Sequence, residues 1–399
     1  MLTVSKRGFQ MPASPIRKLV PFAEAAKERG VTVYHLNIGQ PDIETPAAIM
    51  DAVKKVDMPI LEYSHSAGNE SYRRKLAAYY SKKGFDVNYD EILITTGGSE
   101  AIIFSFFACL DPGDEVIIPE PLYANYIGFA CEAGVKVVPI RSSIENGFML
   151  PAVSEFEKVI TAKTKAILIC NPNNPTGYLY SRGELTELAG ICKKYNLYFF
   201  SDEAYREFCY SDAAHTSVMH LKDISDNAVL LDTISKRYSA CGARIGALVT
   251  KNKDVYNAVL KFAQARLSPP GLEQILGEAA VDLPDDYFDQ PKQEYMARRD
   301  LLVSRLNKME GVDCPNPGGA FYAMARLPID DADRFCQWML EDFSLDNQTA
   351  MFAPATGFYV TPGLGMNEIR LAYVINRQDI DKAMDCLEAA LKVYPGKTN

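Results

Sequence analysis

Short apolar runs alternate with amphipathic stretches of helical length between about residues 90 and 290, and this alternation constrains the fold more than any other feature. It is typical of βαβ units, in which a strand leads through a helix to a parallel neighbour. The pattern therefore predicts an α/β fold with a mainly parallel sheet. We expect its strands at residues 91–96, 114–119, 165–170, 196–201, 228–234 and 246–250.

The two ends of the chain carry a different pattern. Residues 1–45 and 291–399 mix helix periodicity, as in YMARRDLLVSRLNKM, with short apolar runs such as EIRLAYV. Turn-forming stretches such as PNPGG interrupt them, and such clusters mark loops between elements. We therefore predict a smaller α+β domain built from both chain termini, and a large domain over residues 46–290.

Composition and charge argue against several classes of function. The formal net charge is −9, and no cluster of basic and aromatic residues offsets it, so we expect no nucleic acid partner. No apolar run is long enough to cross a bilayer, which predicts no membrane partner. Nine cysteines lack C-x-x-C and zinc-ligand spacing, so we expect reduced thiols and no metal site. The opening residues MLTVSKRGFQMPASP lack the apolar region of a secretion signal, which predicts a cytoplasmic location.

Chemically useful side chains follow five of the predicted strands. In open parallel sheets, ligands bind outside the carboxyl ends of the strands, where loops lead into helix N-termini. We therefore expect glycines, an aromatic ring, an amide, a carboxylate and a lysine with an arginine to meet in one crevice. The strands lead into GGSEA, EPLYANY, NPNNPTG, DEAY and SKRYSACGAR.

Each of these residues has an ordinary structural explanation when it is taken alone. A lysine such as Lys236 is usually a solvated surface amine, because lysines are rarely buried without a partner. Ser99 after two glycines is typical of a helix N-cap. Asp202 has a similar explanation, because aspartate is common at the start of a helix. Tyr123 and Tyr205 are ordinary packing residues. Only the combination of these residues indicates a site.

The combination resembles the pyridoxal-phosphate aminotransferases of fold type I, the class I/II family, and their aspartate-aminotransferase-like members. The motif S-K-x-x-x-x-x-G-x-R-x-G, read here from Ser235 to Gly246, is the strongest piece of the resemblance. NPNNPTG and SDEAY lie in the family's order, and the resemblance covers nearly the whole chain. It implies a large domain with a mainly parallel seven-stranded sheet flanked by helices, plus a smaller α+β domain from both chain termini.

The resemblance implies pyridoxal 5′-phosphate as cofactor and gives several residues a role. Lys236 is the amine that forms a Schiff base with the cofactor aldehyde and later moves the substrate's Cα proton. Arg244 pairs with the phosphate, and Asp202 keeps the pyridine nitrogen protonated. The other cofactor contacts that it implies come from Tyr63, Gly98, Ser99, Tyr123, Asn174, Tyr205, Thr233 and Ser235.

The resemblance also implies how a substrate is held. Arg370 in EIRLAYV matches the arginine that binds the α-carboxylate, with Asn174 and the backbone of Gly39 beside it. A second carboxylate needs a second cation, for which Arg266 in ARLSPP is the candidate. Another branch of the family has a lysine directly after GG, where this chain has Ser99. Aspartate with 2-oxoglutarate is the favoured pair, ahead of alanine or aromatic amino acids.

Further expectations concern assembly and rival functions. Tyr63 resembles the tyrosine that reaches the phosphate of the neighbouring subunit, which implies a homodimer with shared active sites. The same fold and lysine serve C–S lyases, which release pyruvate and ammonia without an oxo-acid acceptor. A ligand-sensing regulator domain is the non-enzyme alternative. It needs a DNA-binding module ahead of NIGQPD, and the acidic charge argues against it.

Overall fold

A computed structural model describes residues 2–210 and 214–398. Its strands agree with the six predicted ones to within about two residues at each end. They are β1 (Thr32–His35), β2 (Ile92–Thr95), β3 (Glu115–Glu120), β4 (Lys136–Arg141), β5 (Thr164–Cys170), β6 (Tyr198–Asp202), β7 (Ala228–Thr233), β8 (Gly246–Val249), β9 (Tyr322–Arg326), β10 (Gln348–Met351), β11 (Ala353–Pro354) and β12 (Glu368–Ala372).

The helices begin and end at local signals that the sequence contains. Before α8, for example, Ser181 and Glu184 cap each other, and after it Asn196 is left-handed with φ 54°. The helices are α1 (Lys6–Gln10), α2 (Val20–Glu28), α3 (Ala47–Lys54), α4 (Glu70–Lys82), α5 (Gly97–Cys109), α6 (Asn125–Ala133), α7 (Val153–Val159), α8 (Arg182–Tyr195), α9 (Lys253–Ala265), α10 (Gly271–Val281), α11 (Asp289–Leu306), α12 (Ala332–Glu341) and α13 (Arg377–Val393).

A seven-stranded sheet forms the centre of the fold, in the order β2-β8-β7-β6-β5-β3-β4. Strand β8 runs antiparallel to both of its neighbours, and the other pairs are parallel. The predicted α/β fold with a mainly parallel seven-stranded sheet is therefore confirmed. Strand β4 is the one that sequence reading missed, because KVVPIR carries charged ends and a proline that is unusual inside a strand.

Both faces of this sheet are covered, which explains why its strands are apolar runs without alternation. Consecutive residues of a strand point to opposite faces, so Leu230 and Leu231 of β7 lie in two different apolar cores. Phe199 and Phe200 of β6 divide in the same way. Because these strands are parallel, their carboxyl ends lie at the same edge of the sheet. The loops that follow them can therefore form a site there.

The two ends of the chain meet in smaller sheets. Strand β1 pairs in parallel with β10, and β12 lies between β11 and β9 in an antiparallel sheet. The N-terminal segment therefore packs with the C-terminal part, as expected for a unit built from both termini. The boundaries of the two domains, 1–45 with 291–399 and 46–290, stay a prediction.

Two further observations concern the whole of the described chain. Within residues 2–210 and 214–398, no helix is both long and apolar enough to cross a membrane. All nine cysteines of the chain lie in these ranges and carry free thiols, six of them buried.

Candidate active site

A cavity of about 490 Å³ opens where the loops after β3, β5, β6 and β7 meet the first turn of α5. Twelve of the fourteen residues predicted for the site line it. These are Gly39, Gly98, Ser99, Tyr123, Asn174, Asp202, Tyr205, Thr233, Ser235, Lys236, Arg244 and Arg370.

Lys236 points into this cavity from the loop after β7. Its Nζ atom donates a hydrogen bond to the carbonyl oxygen of Gly39 at 2.9 Å and lies 3.7 Å from Sγ of Cys241. The Cys241 thiol in turn donates to the carbonyl of Ser235 at 3.2 Å. Lys236 is therefore a half-buried amine held inside a cleft rather than a solvated surface lysine.

Arg244 lies beside the start of α5 and closes one side of the cavity. Its backbone is left-handed, with φ 51°, and its Nη1 atom donates to the carbonyl of Cys241 at 2.9 Å. A Cβ atom on Gly97 would lie 2.3 Å from Nη2 of Arg244, so only glycine leaves room for this guanidinium. The hydroxyls of Thr233 and Ser235 are 2.8 Å apart on the same side. The free N–H groups of the first turn of α5 complete a cup suited to an anion.

Asp202, the last residue of β6, supplies the one carboxylate that lines the cavity within the described chain. Its carboxylate accepts hydrogen bonds from the Tyr126 hydroxyl at 2.7 Å and the Ala204 backbone N–H at 3.2 Å. Burial raises the pKa of Asp202 to about 6, although the hydrogen bond from Tyr126 partly opposes that rise. Sequence reading chose Tyr123 from EPLYANY and missed Tyr126, which lies in the same strand exit.

Arg370 reaches the cavity from β12 and is almost fully buried. Its Nη1 donates to Oδ1 of Asn174 at 3.1 Å and its Nη2 donates to the carbonyl of Asn37 at 2.5 Å, while Nε has no partner among the described residues. Its guanidinium lies 4.5 Å from the ring centre of Tyr322 and 4.8 Å from that of Phe358. Burial lowers the pKa of Arg370, and such an unpaired cation favours an anionic ligand.

Two tyrosines connect this arginine to the sheet ends. The hydroxyls of Tyr205 and Tyr322 are 3.0 Å apart, and Nδ2 of Asn174 lies 3.5 Å from the Tyr205 hydroxyl. Tyr322 stands in AFYAMARL, which sequence reading identified only as a strand. A search for aromatic residues near strand starts in the C-terminal part would have found it.

Tyr63 and Arg266 do not line the cavity of their own chain. Tyr63 is 79% exposed. Arg266 is tied to α5 and β2, because its Nε donates to Glu100 at 3.2 Å and its Nη2 donates to the carbonyl of Ile94 at 3.2 Å. Their roles at a neighbouring subunit stay predictions.

The N-terminal segment also contributes to the cavity, and sequence reading missed it. Ser14, Ile16 and Arg17 line the side near Gly39. The carbonyl of Ile16 accepts a hydrogen bond from Nδ2 of Asn37 at 3.3 Å, which holds the segment in place. These residues precede α2 and show no pattern of their own.

Residues 31–387 match the family model described as aminotransferase class I and II. The chain belongs to this family. It is therefore an aminotransferase, and membership of the family implies pyridoxal phosphate as its cofactor. The predicted resemblance is confirmed over the part of the chain that carries the motifs.

Individual relatives of this aminotransferase cover nearly its whole length. An aspartate aminotransferase of Pyrococcus horikoshii is 31% identical over 395 residues, which are 98% of this chain and 97% of the relative. The crystal structure of an aspartate aminotransferase from Thermotoga maritima matches with a TM-score of 0.89 and 31% identity, covering 98% of this chain and 100% of that one. An alanine aminotransferase structure from Pyrococcus furiosus matches with a TM-score of 0.89 and 30% identity over 98% and 100% of the two chains. The fold alone therefore does not separate aspartate from alanine.

Proposed function

We propose that this aminotransferase transfers the amino group of aspartate to 2-oxoglutarate, with pyridoxal 5′-phosphate held at Lys236. The single observation that carries the proposal is the meeting of Lys236, Asp202, Arg244 and Arg370 around one cavity. An amine, a carboxylate and two guanidinium groups are what a phosphorylated pyridine aldehyde and an amino acid require together.

The residues fit this cofactor. The missing side chain of Gly97 gives Arg244 its place, so a guanidinium, two hydroxyls and helix N–H groups are available to a phosphate. At the other end of the cavity, Asp202 is a carboxylate without a cationic partner among the described residues, which suits a protonated ring nitrogen. When bound, the cofactor supplies an electron sink that makes the Cα proton of an amino acid acidic.

The chain's own residues then perform the proton transfer and the binding. The Lys236 amine would take the Cα proton of the substrate as a general base and release it again as a general acid. The Gly39 carbonyl accepts a hydrogen bond from this amine and holds it in the cavity. Tyr205 and Asn174, which line the cavity, would hold the cofactor's phenolic oxygen by hydrogen bonds, and Tyr123 would pack against its ring.

Arg370 binds the substrate's α-carboxylate. Its guanidinium is fixed by Asn174 and the carbonyl of Asn37, so little conformational entropy is lost when a carboxylate arrives. Its unpaired Nε group supplies a further donor in a buried setting. This pairing orients the Cα–H bond of the substrate relative to Lys236.

A homodimer in the cytoplasm is part of the proposal. Residues 58–63 expose Met58, Ile60, Leu61 and Tyr63. Ser64 and Ser66 tie the end of this segment to the carbonyls of Pro269 and Leu267, beside the exposed Leu267 side chain. An apolar surface of this kind supports contact with a second copy, with Tyr63 reaching the partner's phosphate cup. Nine free thiols support a reducing compartment.

Single half-reactions test the chemistry and the substrate. Each amino acid is added alone to the cofactor-loaded enzyme, and the oxo acid formed is quantified by mass spectrometry. We expect aspartate and glutamate to react fastest and to yield one equivalent of oxo acid per site. Alanine or an aromatic amino acid reacting fastest would overturn the aspartate assignment. Continuous release of pyruvate and ammonia without an acceptor would identify a C–S lyase instead.

The variant Lys236→Ala tests the position of the amine. We expect it to bind pyridoxal phosphate but to lose turnover by roughly 10³-fold or more, because both the covalent link and the base are removed. Borohydride treatment followed by peptide mapping should label residue 236 in the wild type and no residue in the variant. Lys253→Ala, which changes an exposed lysine at the start of α9, is the matched control. Labelling at another lysine would contradict the proposal.

A further inference from the structure

Positively charged side chains outnumber negatively charged ones around the cavity. Four cations line it, namely Arg17, Lys236, Arg244 and Arg370, and Asp202 is the one carboxylate among the described residues. The proposed function uses Arg244 for the phosphate, Arg370 for the α-carboxylate and Lys236 for the reaction. Arg17 is the one cation of the lining that neither the phosphate, the α-carboxylate nor the proton transfer accounts for.

The guanidinium of Arg17 makes no hydrogen bond or ion pair within residues 2–210 and 214–398. Its backbone N–H donates to the carbonyl of Ser14 at 3.2 Å, which shapes the turn but leaves the side chain free. The next residue behaves differently, because Lys18 pairs with Asp333 and does not line the cavity. Of two adjacent cations, therefore, one is neutralised by the protein and the other faces the cavity.

Arg17 is exposed, but packing fixes the segment that carries it. Pro15 lies so close to Gly357 that a Cβ atom there would be 2.2 Å from the proline ring. The Asn37 side chain donates to the carbonyl of Ile16 at 3.3 Å, while the Asn37 backbone carbonyl accepts from Arg370 at 2.5 Å. Asn37 thus forms hydrogen bonds both with the segment that carries Arg17 and with Arg370.

We propose that Arg17 binds the distal carboxylate of a dicarboxylic substrate and is a specificity-determining residue of this aminotransferase. The inference deepens the proposed function and rests on it. A dicarboxylate would place one carboxylate on Arg370 and the other on Arg17, while Ile16 and Ile38 line the same cavity and offer apolar surface to the carbons between them. Arg266, the candidate from sequence, is already bonded to Glu100 and to the carbonyl of Ile94.

The test compares aspartate with alanine in Arg17→Gln. A charge-assisted hydrogen bond contributes enough that its loss lowers kcat/KM for aspartate by about 10- to 100-fold, while kcat/KM for alanine stays unchanged. Arg17→Lys should recover part of the loss, because it restores the charge without the bidentate fork. Lys18→Gln is the matched control, and it should alter neither substrate.

A binding measurement separates recognition from turnover. Calorimetry of the cofactor-loaded enzyme with succinate, which has two carboxylates and no amino group, should show about 10-fold weaker binding in Arg17→Gln. Acetate, with one carboxylate, should bind both proteins equally. If Arg17 had only a structural role, Arg17→Gln would weaken the binding of succinate and of acetate to the same extent.

The outcomes distinguish this inference from the proposed function. If the wild type transfers no amino group from any amino acid, the proposed function fails. The inference about Arg17 is overturned if the wild type is active and Arg17→Gln has an unchanged kcat/KM for both aspartate and alanine. It is equally overturned if the two kcat/KM values fall by the same factor. It is also overturned if Arg266→Gln, and not Arg17→Gln, removes the preference for dicarboxylates.

Discussion

The Nη2 atom of Arg237 lies 2.7 Å from Oδ2 of Asp232, and both side chains are almost fully buried. Asp232 and Thr233 are consecutive residues of β7, so their side chains point to opposite faces of the sheet. Thr233 lines the cavity, whereas Asp232 accepts a hydrogen bond from Tyr80 at 2.6 Å on the other face. The ion pair therefore lies on the face of the sheet opposite Thr233, and the backbone of β7 connects it to the active site.

A second buried arginine, Arg206, shares the same carboxylate at 2.5 Å. Arg206 follows Tyr205 in the chain, and Arg237 follows Lys236. Burial alone would raise the pKa of Asp232, but the two arginines outweigh it and hold that pKa at about 2. This carboxylate contributes stability that is fully present above pH 3.8 and is lost as the pH falls through about 2.

Asp232→Asn should therefore be strongly destabilising at neutral pH. Removing this carboxylate leaves buried Arg237 without an ion pair and leaves Arg206 with only its 3.6 Å contact to Glu203, which costs about 3–5 kcal/mol of unfolding free energy. Urea unfolding at pH 7 measures the loss. Asp285→Asn is the control, because it breaks an exposed pair with Lys82 and should leave the unfolding midpoint unchanged. Equal midpoints for Asp232→Asn and wild type would show that the cluster does not stabilise the fold.

The raised pKa of Asp202 predicts a pH dependence of the cofactor-free protein. The folded-state pKa of about 6 exceeds the value of 3.8 for a free aspartate. Stability from this group is therefore fully present below pH 3.8, falls as the pH rises, and is gone above about pH 6. The loss is on the order of 3 kcal/mol.

Urea unfolding of the cofactor-free enzyme at pH 4.5 and pH 8 checks this dependence. Asp202→Asn, which does not titrate, should lose less stability over the same range than the wild type. Bound pyridoxal phosphate should remove the difference at pH 8, because a protonated ring nitrogen compensates the carboxylate. A wild type and variant with parallel pH profiles would rule out the shifted pKa.

Gly97→Ala should weaken cofactor binding. The glycine has φ of +76°, and an added Cβ would lie 2.3 Å from Nη2 of Arg244, so this guanidinium must move away from the phosphate cup. Loss of one charge-assisted hydrogen bond raises the Kd for pyridoxal phosphate by roughly 10-fold or more. Titration of the cofactor-free enzyme followed by fluorescence measures it.

The control for this variant is Gly113→Ala. Gly113 has φ of +96° but no atom within 4 Å of the added Cβ, so it carries the backbone strain without the clash. It should reduce stability while the Kd for pyridoxal phosphate stays at the wild-type value. An unchanged Kd in Gly97→Ala would mean that Arg244 does not hold the phosphate.

A charge introduced at Leu61 should dissociate the proposed dimer. Leu61 is 60% exposed, and Leu61→Asp places a charge in the apolar surface that we assign to the second copy. Light scattering after size exclusion should give a mass near 44.3 kDa for the variant and twice that for the wild type. Met149→Asp, which changes an exposed methionine elsewhere, should leave the mass unchanged. A wild type that is already monomeric would contradict the dimer.

Local sequence patterns determined much of the fold and of the site. Apolar runs of strand length predicted six of the seven strands of the central sheet, because strands buried on both faces need no polar alternation. The residues that follow those strands were predicted for the same reason, since parallel strands end at one edge. Lys236, Asp202 and Arg244 therefore could be placed in one crevice before any contact was known.

Only the tertiary structure decided which distant residues complete that crevice. Arg370 meets Asn174 across 196 positions of sequence, and Asn37 bonds both to Arg370 and to the segment that carries Arg17. Such contacts depend on how the two small sheets pack beside the large one, and no local period encodes them. A hydrophobic pattern specifies which face of an element is buried, but the partner of a polar side chain is set by packing between elements far apart in the chain.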